Sequence, residues 1–305
     1  MDDTGVYADL DELIRLQYKA TGFSFLPRQP IHSILAGQHA SRLRGRGLNF
    51  EELRRYLPGD DIRNMDWKVT ARMRKPHVRV YTEERDRPAL LVVDQRLSMF
   101  FGSTRAMKSV AAAEATALAA WRVFHAGDRV GAIVFDDHDI VEIAPHRSRS
   151  RVMQILQAVV EKNHSLRANA DLTPNPAMLN HALERALRVA KHDYLVGLIT
   201  DAFGADLESE RLVTLLSAHN DVISVFIFDP LEAQLPDAGR LVMTEGAAQL
   251  EVNTSDSGLR RRFHDAFEQR LARIQTLSRK RSIPVLPIHT GEGVAEQVRT
   301  LLGNA

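Results

Sequence analysis

From residue 89 onward the chain alternates short apolar runs with longer stretches whose apolar residues recur every three or four positions. Ala89-Leu-Leu-Val-Val-Asp94 is an unbroken aliphatic run closed by a carboxylate, the form of a strand buried on both faces. Residues 105–125 form a nearly all-apolar helix carrying Val110, Leu118, Trp121 and Phe124, and Gly127 supplies its stop. Residues 129–135 and 140–143 flank Asp136-Asp137-His138-Asp139, which predicts a hairpin with an exposed acidic turn. A helix follows over about 150–162. The next is expected to use Asn175 as its cap and Pro176 as its first residue, with Leu179, Ala182, Leu183, Ala186 and Ala190 on one face. Strand-like runs at 194–200, again closed by a carboxylate, Asp201, and at 222–228 continue the rhythm.

Residues 229–256 break the alternation, and 240–244 with 249–252 suggest an inserted β-hairpin. The long helix after Ser257 aligns Leu259, Phe263, Phe267, Leu271 and Ile274. Residues 283–288 contain Pro284 and Pro287, so a strand here belongs on a sheet edge, and 294–302 is a last helix. The pattern predicts an α/β domain over 89–305 with a doubly wound, mostly parallel sheet. Residues 1–88 lack this rhythm. A helix near 7–20, a β-like segment at 77–82 and the turn Pro58-Gly59-Asp60 read as a separate N-terminal module.

At 305 residues and 44% hydrophobic, the chain can bury one large core beside a smaller module. It has no cysteine, which removes disulfides, thiolate metal sites and cysteine nucleophiles and points to a reducing, cytoplasmic location. No apolar run reaches the roughly 20 residues of a membrane span, and the acidic start Met-Asp-Asp lacks the pattern of a signal peptide. The net charge of +1 hides a basic block, 42–87, with thirteen Lys or Arg against eight Asp or Glu. Its signs are mixed, as in Glu83-Glu84-Arg85-Asp86-Arg87, and it has no aromatic stacking series. Ion-pair networks or a protein interface therefore fit it better than specific nucleic-acid binding, which stays the alternative use of this block.

Open α/β sheets bind ligands beyond the carboxyl ends of their strands, where the strand order reverses. Asp94 and Asp201 end two strands, and Ser98 lies four residues after Asp94, so neighbouring strands would bring two carboxylates and a hydroxyl to one crevice. Such hard oxygen ligands suit Mg²⁺. A Mg²⁺-dependent hydrolase using Asp94 and Asp201 is the enzymatic alternative, although Arg96 stands where a phosphatase of the aspartate-nucleophile type needs a second acid. Arg96 could instead reach back to Asp94 and Asp201 as a tethered cation. The Walker loop, the dinucleotide fingerprint, Gly-x-Ser-x-Gly and His-Glu-x-x-His are all missing from the sequence.

Asp94-Gln-Arg96-Leu-Ser98 with Thr200-Asp201 resembles the metal-ion motif of von Willebrand factor A domains, Asp-x-Ser-x-Ser followed by a threonine and a later Thr-Asp. Arg96 replaces the first serine, and Ala177 stands about where the threonine would be. The resemblance therefore implies a degenerate site, with no cofactor expected and at most weak Mg²⁺ binding.

A longer resemblance lies upstream. Gly37 to Phe50, with Ser41, Arg42, Arg44, Gly45 and Gly47, is followed by Glu52-Leu-Arg-Arg-Tyr56-Leu-Pro58-Gly59-Asp60-Asp61-Ile-Arg63-Asn-Met-Asp66-Trp67-Lys68 and by Ala71-Arg72. Together with Asp229-Pro-Leu-Glu232, this is similar to the signature of the bacterial family called domain of unknown function 58. That family resemblance implies a von Willebrand factor A-like fold and a non-enzymatic adaptor role beside a MoxR-type AAA+ ATPase, acting on a client protein in maturation or remodelling. Within the signature, Arg42, Arg63 and Arg72 are expected to pair with Asp60, Asp61 or Asp66 and Trp67 to anchor the packing, and these residues with Arg44 either dock the module or bind a partner.

Overall fold

The computed structural model describes residues 5–21, 48–58, 60–83, 87–167, 173–245 and 248–302. The chain divides into two compact units, residues 1–28 with 87–305, and residues 29–86. In chain order the elements are α1 (Leu10–Arg15), β1 (Leu48–Arg55), α2 (Trp67–Met73), β2 (His77–Glu83), β3 (Ala89–Asp94), α3 (Lys108–His125), β4 (Val130–Phe135), β5 (Ile140–His146), α4 (Arg149–Ser165) and α5 (Met178–Val189). They continue with β6 (Leu195–Thr200), α6 (Leu207–Ser217), β7 (Asp221–Phe228), α7 (Pro230–Ala233), β8 (Arg240–Glu245), β9 (Ala248–Asn253), α8 (Ser257–Arg281), β10 (Val285–His289) and α9 (Val294–Leu302).

The larger unit holds a six-stranded sheet in the order β10-β7-β6-β3-β4-β5. Every neighbouring pair is parallel except β4 with β5, the hairpin expected around the acidic turn. The chain runs outward from β3 through β4 to β5, then returns to the other side of β3 to place β6. The order therefore reverses between β3 and β6, where a doubly wound sheet opens a crevice at its carboxyl edge.

Side-chain alternation along β3 divides the core. Leu91 and Val93 join the cluster built with α3, α4 and α9, while Leu90 and Val92 join the cluster built with α5 and α6. The alanines of α3 keep that helix close to the sheet, and Gly127 past its end adopts φ of +85°, the left-handed conformation that stops a helix. β10 carries Pro287 and lies at the sheet edge, as its prolines require. β8 and β9 pair as the inserted hairpin. On α8, Phe267 is buried against Phe226 and Phe228, while Leu259, Phe263, Leu271 and Ile274 are half-buried.

Two expectations change. The N-terminal helix belongs to the larger unit, not to a module ending at residue 88. Leu13 is buried, its carbonyl accepts from Trp121 Nε1 at 3.2 Å, and Asn163 Oδ1 accepts from the Ala8 backbone N–H at 2.7 Å. The helix α1 is only six residues long, too short for its apolar face to register as a period, and its partners lie more than a hundred residues away. Asn175 does not cap α5, whose N-cap is Ala177. Its backbone N–H donates to Asp137 Oδ1 at 2.7 Å and its side-chain amide donates to the Asp137 carbonyl at 3.3 Å, so the residue ties two loops together.

In the smaller unit β1 and β2 pair antiparallel from Leu48 opposite Glu83 to Arg55 opposite His77, with an irregularity between Phe50 and Glu52. The chain between them forms the expected turn at Pro58, a short 3-10 turn over Ile62–Asn64, and α2.

Candidate functional site

β3 and β6 are neighbours, so Asp94 and the residue following β6, Asp201, converge at the switch point as the sequence predicts. Both are fully buried. Arg96 folds back on Asp94, with Nε donating to Oδ1 at 3.0 Å and Nη2 to Oδ2 at 2.7 Å, a two-pronged pair. The same guanidinium lies 4.0 Å from Asp201 Oδ1, donates to the carbonyls of Pro176 and Phe203, and sits 5.5 Å above the Phe135 ring. Only 1% of Arg96 is exposed. Ser98 Oγ lies 3.5 Å from Asp201 Oδ1, and Thr200 Oγ1 donates to Asp94 Oδ2 at 2.7 Å.

Backbone geometry makes this arrangement. Ala202 adopts φ of +54°, which directs the Phe203 N–H onto Asp201 Oδ1 at 2.9 Å. The loop then passes so close to Pro176 that a Cβ on Gly204 would lie 2.5 Å from Pro176 Cβ, which explains how both loops offer carbonyls to one guanidinium.

Three further groups complete the site and were not foreseen. Lys108, the first residue of α3, is fully buried and donates to Asp201 Oδ2 and to Glu232 Oε1, each at 2.8 Å. Glu232 belongs to the Asp229-to-Glu232 signature, which forms a reciprocal cap on α7 and so fixes its carboxylate beside the lysine. Asp137 is the third. It was expected on an exposed turn, yet Asp136 and Asp137 are both buried. Asp137 accepts the Leu97 N–H at 2.6 Å, and Asp136 accepts from Lys162 at 2.8 Å and from the N–H groups of His138 and Asp139. The turn is buried because α4 and the loop after β3 supply a cation and amides from distant sequence.

Electrostatics favour the charged forms of Arg96, Lys108 and Asp201. For Arg96, burial opposes the charge, but Asp94 outweighs it with help from Asp201 and Asp137, so the pKa is raised. Lys108 is raised in the same way by Asp201 and Glu232 against its burial. Burial would push Asp201 upward, but Lys108 and Arg96 overcome it and hold the carboxyl at about 2. A lysine working as a base must release its proton, and this one is held protonated.

The Mg²⁺ implied by the von Willebrand resemblance does not fit these residues. Asp94 Oδ1 already accepts two N–H groups of Arg96, Oδ2 accepts Arg96 and Thr200, and Asp201 Oδ2 accepts Lys108. The guanidinium itself fills the space over Phe135 beside both carboxylates. Beneath the crevice, sharing Phe135 and Thr200 with it, an apolar cavity of about 100 Å³ extends between α5, α6 and α8, lined by Leu183, Val213, Leu277 and Ile283 with Arg273.

In the smaller unit two of the three expected acids, Asp60 and Asp66, are paired, with arginines other than Arg63 and Arg72. Asp60 holds Arg54 through two bonds of 2.8 and 2.7 Å and also accepts the Leu57 N–H. Asp66 caps α2 by accepting the Lys68 and Val69 N–H groups and pairs with Arg79 at 2.7 Å. The bond from Arg54 draws the Asp60 pKa down, and the Val69 N–H followed by Arg79 does so for Asp66. Asp61 accepts the Arg63 N–H. Among the described residues Arg63 and Arg72 have no acidic partner, and Trp67 is 66% exposed and anchors no core. Strand pairing explains the exchange, because β1 and β2 carry Arg54 and Arg79 to fixed places beside the turn, which local spacing does not reveal. Arg42 and Arg44 lie outside the described residues.

The chain is similar to uncharacterized proteins of Mycobacterium tuberculosis (Rv1480) and Mycobacterium bovis (Mb1516), each 28% identical over 264 residues, covering 86% of this chain and 81% of theirs. Among solved structures it resembles the conserved hypothetical protein BatB from Bacteroides thetaiotaomicron, with a TM-score of 0.44 and 13% identity over 70% of this chain and 98% of that one. It also resembles the SpRpn10 VWA domain, with a TM-score of 0.36 and 12% identity over 70% of this chain and 94% of that one. A family model described as protein of unknown function DUF58 matches residues 52–273, a span that holds the Asp60-to-Trp67 signature, the crevice and Glu232. By that match over most of its length, the chain belongs to the DUF58 family.

Proposed function

We propose that this protein is a non-enzymatic interaction adaptor whose smaller unit carries the partner-binding surface. The observation that carries this reading is the exposure of large apolar side chains on that unit: Leu57, Ile62, Trp67 and Met73 are each more than half exposed. Arg55, Arg63, Lys68, Arg72, Arg74 and Lys75 are exposed on the same unit and have no acidic partner among the described residues. Aromatic and arginine side chains concentrate at the energetic centres of protein interfaces, and unpaired cations favour an acidic partner. The balanced crevice supports the same reading, since its acids and cations are bound to one another and no base is left free.

The DUF58 resemblance suggests a MoxR-type AAA+ ATPase as the partner and an unidentified client in maturation or remodelling. The absence of cysteine supports a cytoplasmic setting. The full chain, immobilised and exposed to native lysate with ATP or ADP, should retain an AAA+ ATPase in a nucleotide-dependent manner, and the double variant Ile62→Ala/Trp67→Ala should lose it. Equal recovery by the variant, or no AAA+ ATPase with either nucleotide, would refute the proposal. A phosphoester screen with Mg²⁺ tests the hydrolase alternative directly.

A further inference from the structure

We propose that Arg96 and Lys108 together take the place of a divalent cation in the crevice between β3 and β6, and that shortening Arg96 to serine converts this crevice into a divalent-cation site. The proposal is independent of the adaptor reading, because it concerns only what neutralises Asp94 and Asp201.

Both carboxylates are fully buried, and each has its own cation. Asp94 is gripped by the guanidinium of Arg96 at 2.7 and 3.0 Å, and Asp201 by the ammonium of Lys108 at 2.8 Å. The two cations come from different elements, Arg96 from the turn that follows β3 and Lys108 from the start of α3. Arg96 also lies 4.0 Å from Asp201, so its charge is shared across the crevice as that of a bridging ion would be.

An inner-sphere Mg²⁺ needs carboxylate lone pairs directed at it from about 2.1 Å. Here those lone pairs face N–H and O–H donors, with Thr200 on Asp94 Oδ2 and the Phe203 N–H on Asp201 Oδ1. An entering ion would have to expel a guanidinium that is 1% exposed and leave it buried without its acid. Competition by the tethered groups is therefore intramolecular, and free metal at cellular concentrations does not win it.

Arg96→Ser removes the tethered competitor. It strips the two guanidinium bonds from the Asp94 carboxylate, leaving the backbone N–H of residue 96 and the Thr200 hydroxyl on it, opens the volume over Phe135, and puts a hydroxyl two residues after Asp94. Lys108 remains on Asp201 and Glu232, so the cluster of Asp94, Asp137, Asp201 and Glu232 is left with one of the two cations. Excess negative charge and exposed oxygen ligands are what a hard divalent ion requires.

Titration calorimetry and thermal melting with Mn²⁺ and Mg²⁺, against an EDTA baseline, test the proposal on the full-length protein. Wild type should give no saturable heat below millimolar metal and an unchanged Tm. Arg96→Ser should melt lower in EDTA, recover part of that loss with Mn²⁺, and bind it at least tenfold more tightly than wild type. If the variant does not fold in EDTA, its refolding in Mn²⁺ supports the same conclusion. Micromolar Mn²⁺ binding by wild type overturns the proposal, and so does a variant that neither binds metal nor is rescued by it.

Discussion

Lys108 Nζ lies 2.8 Å from Asp201 Oδ2, joining the first residue of α3 to the residue that follows β6 across 93 positions of sequence. The same nitrogen reaches Glu232 ahead of α8, so one buried cation fastens three segments of the larger unit.

Removing that cation leaves Asp201 buried with only the more distant Arg96 at 4.0 Å, and Glu232 with Arg270 at 3.5 Å. Lys108→Ala should destabilise the larger unit by about 3–5 kcal/mol, the usual cost of stranding one partner of a buried pair. Urea unfolding followed by circular dichroism measures it, and a loss below about 1 kcal/mol would show that water reaches the crevice and screens the pair.

The acid limb of stability has a definite sign. Asp201 is held at about 2 in the folded chain, below its ordinary value of 3.8, so the unfolded form takes up the proton first. Its contribution is complete above about pH 4 and is lost as pH falls from there toward 2. Melting temperature against pH should therefore drop steeply in that window for wild type, and the drop should be shallower for Asp201→Asn. Parallel profiles would contradict the assignment.

Asn163 connects the N-terminal segment to the strand-end loop. Its carbonyl accepts the Ala8 N–H at 2.7 Å and its amide donates to Gln95 Oε1 at 3.1 Å, next to Asp94. Asn163→Ala should cost about 1–3 kcal/mol for each buried group left unsatisfied. Hydrogen exchange should also accelerate at Ala8 while the interior of β3 stays protected. Unchanged exchange at Ala8 would mean that the segment is held elsewhere.

The two tryptophans provide an internal comparison. Trp121 is fully buried and Trp67 is 66% exposed. Trp121→Phe should remove the component of fluorescence that acrylamide cannot quench, and Trp67→Phe the component that it can. Trp67→Ala should shift stability by no more than about 0.5 kcal/mol, whereas Trp121→Ala should cost about 3–5 kcal/mol.

The architecture was legible wherever a strand declared itself by composition. The aliphatic run before Asp94 and the prolines of β10 were enough to set a central strand and an edge strand, and the two carboxylate endings located the crevice. The partners inside the crevice were harder to see. Arg96 was visible because it is two residues from Asp94, but Lys108 needed the fold to bring it to Asp201. Its one available signal was a cation opening an otherwise alanine-rich helix. Asp136 and Asp137 looked solvated because the lysine on Asp136 comes from α4 and the amides on Asp137 come from Leu97 and Asn175, all distant in sequence. In the signature block Asp60 and Asp66 pair with Arg54 and Arg79 rather than with Arg63 or Arg72, since strand placement rather than spacing selects the partners.

The interleaving of the two units affects how the chain is made. Residues 1–28 and 87–305 form one unit that residues 29–86 interrupt in sequence, so the smaller unit is a guest whose two ends leave and re-enter the same host. During synthesis the guest emerges whole before the strands of the host exist. Ala8 meets its partner only when Asn163 appears, 155 residues later. At about 5–20 residues per second this interval lasts roughly 8 to 30 seconds. The helix α1 thus waits for α3 and α4 to be made before it finds its seat, and the strands from β6 onward are still to come.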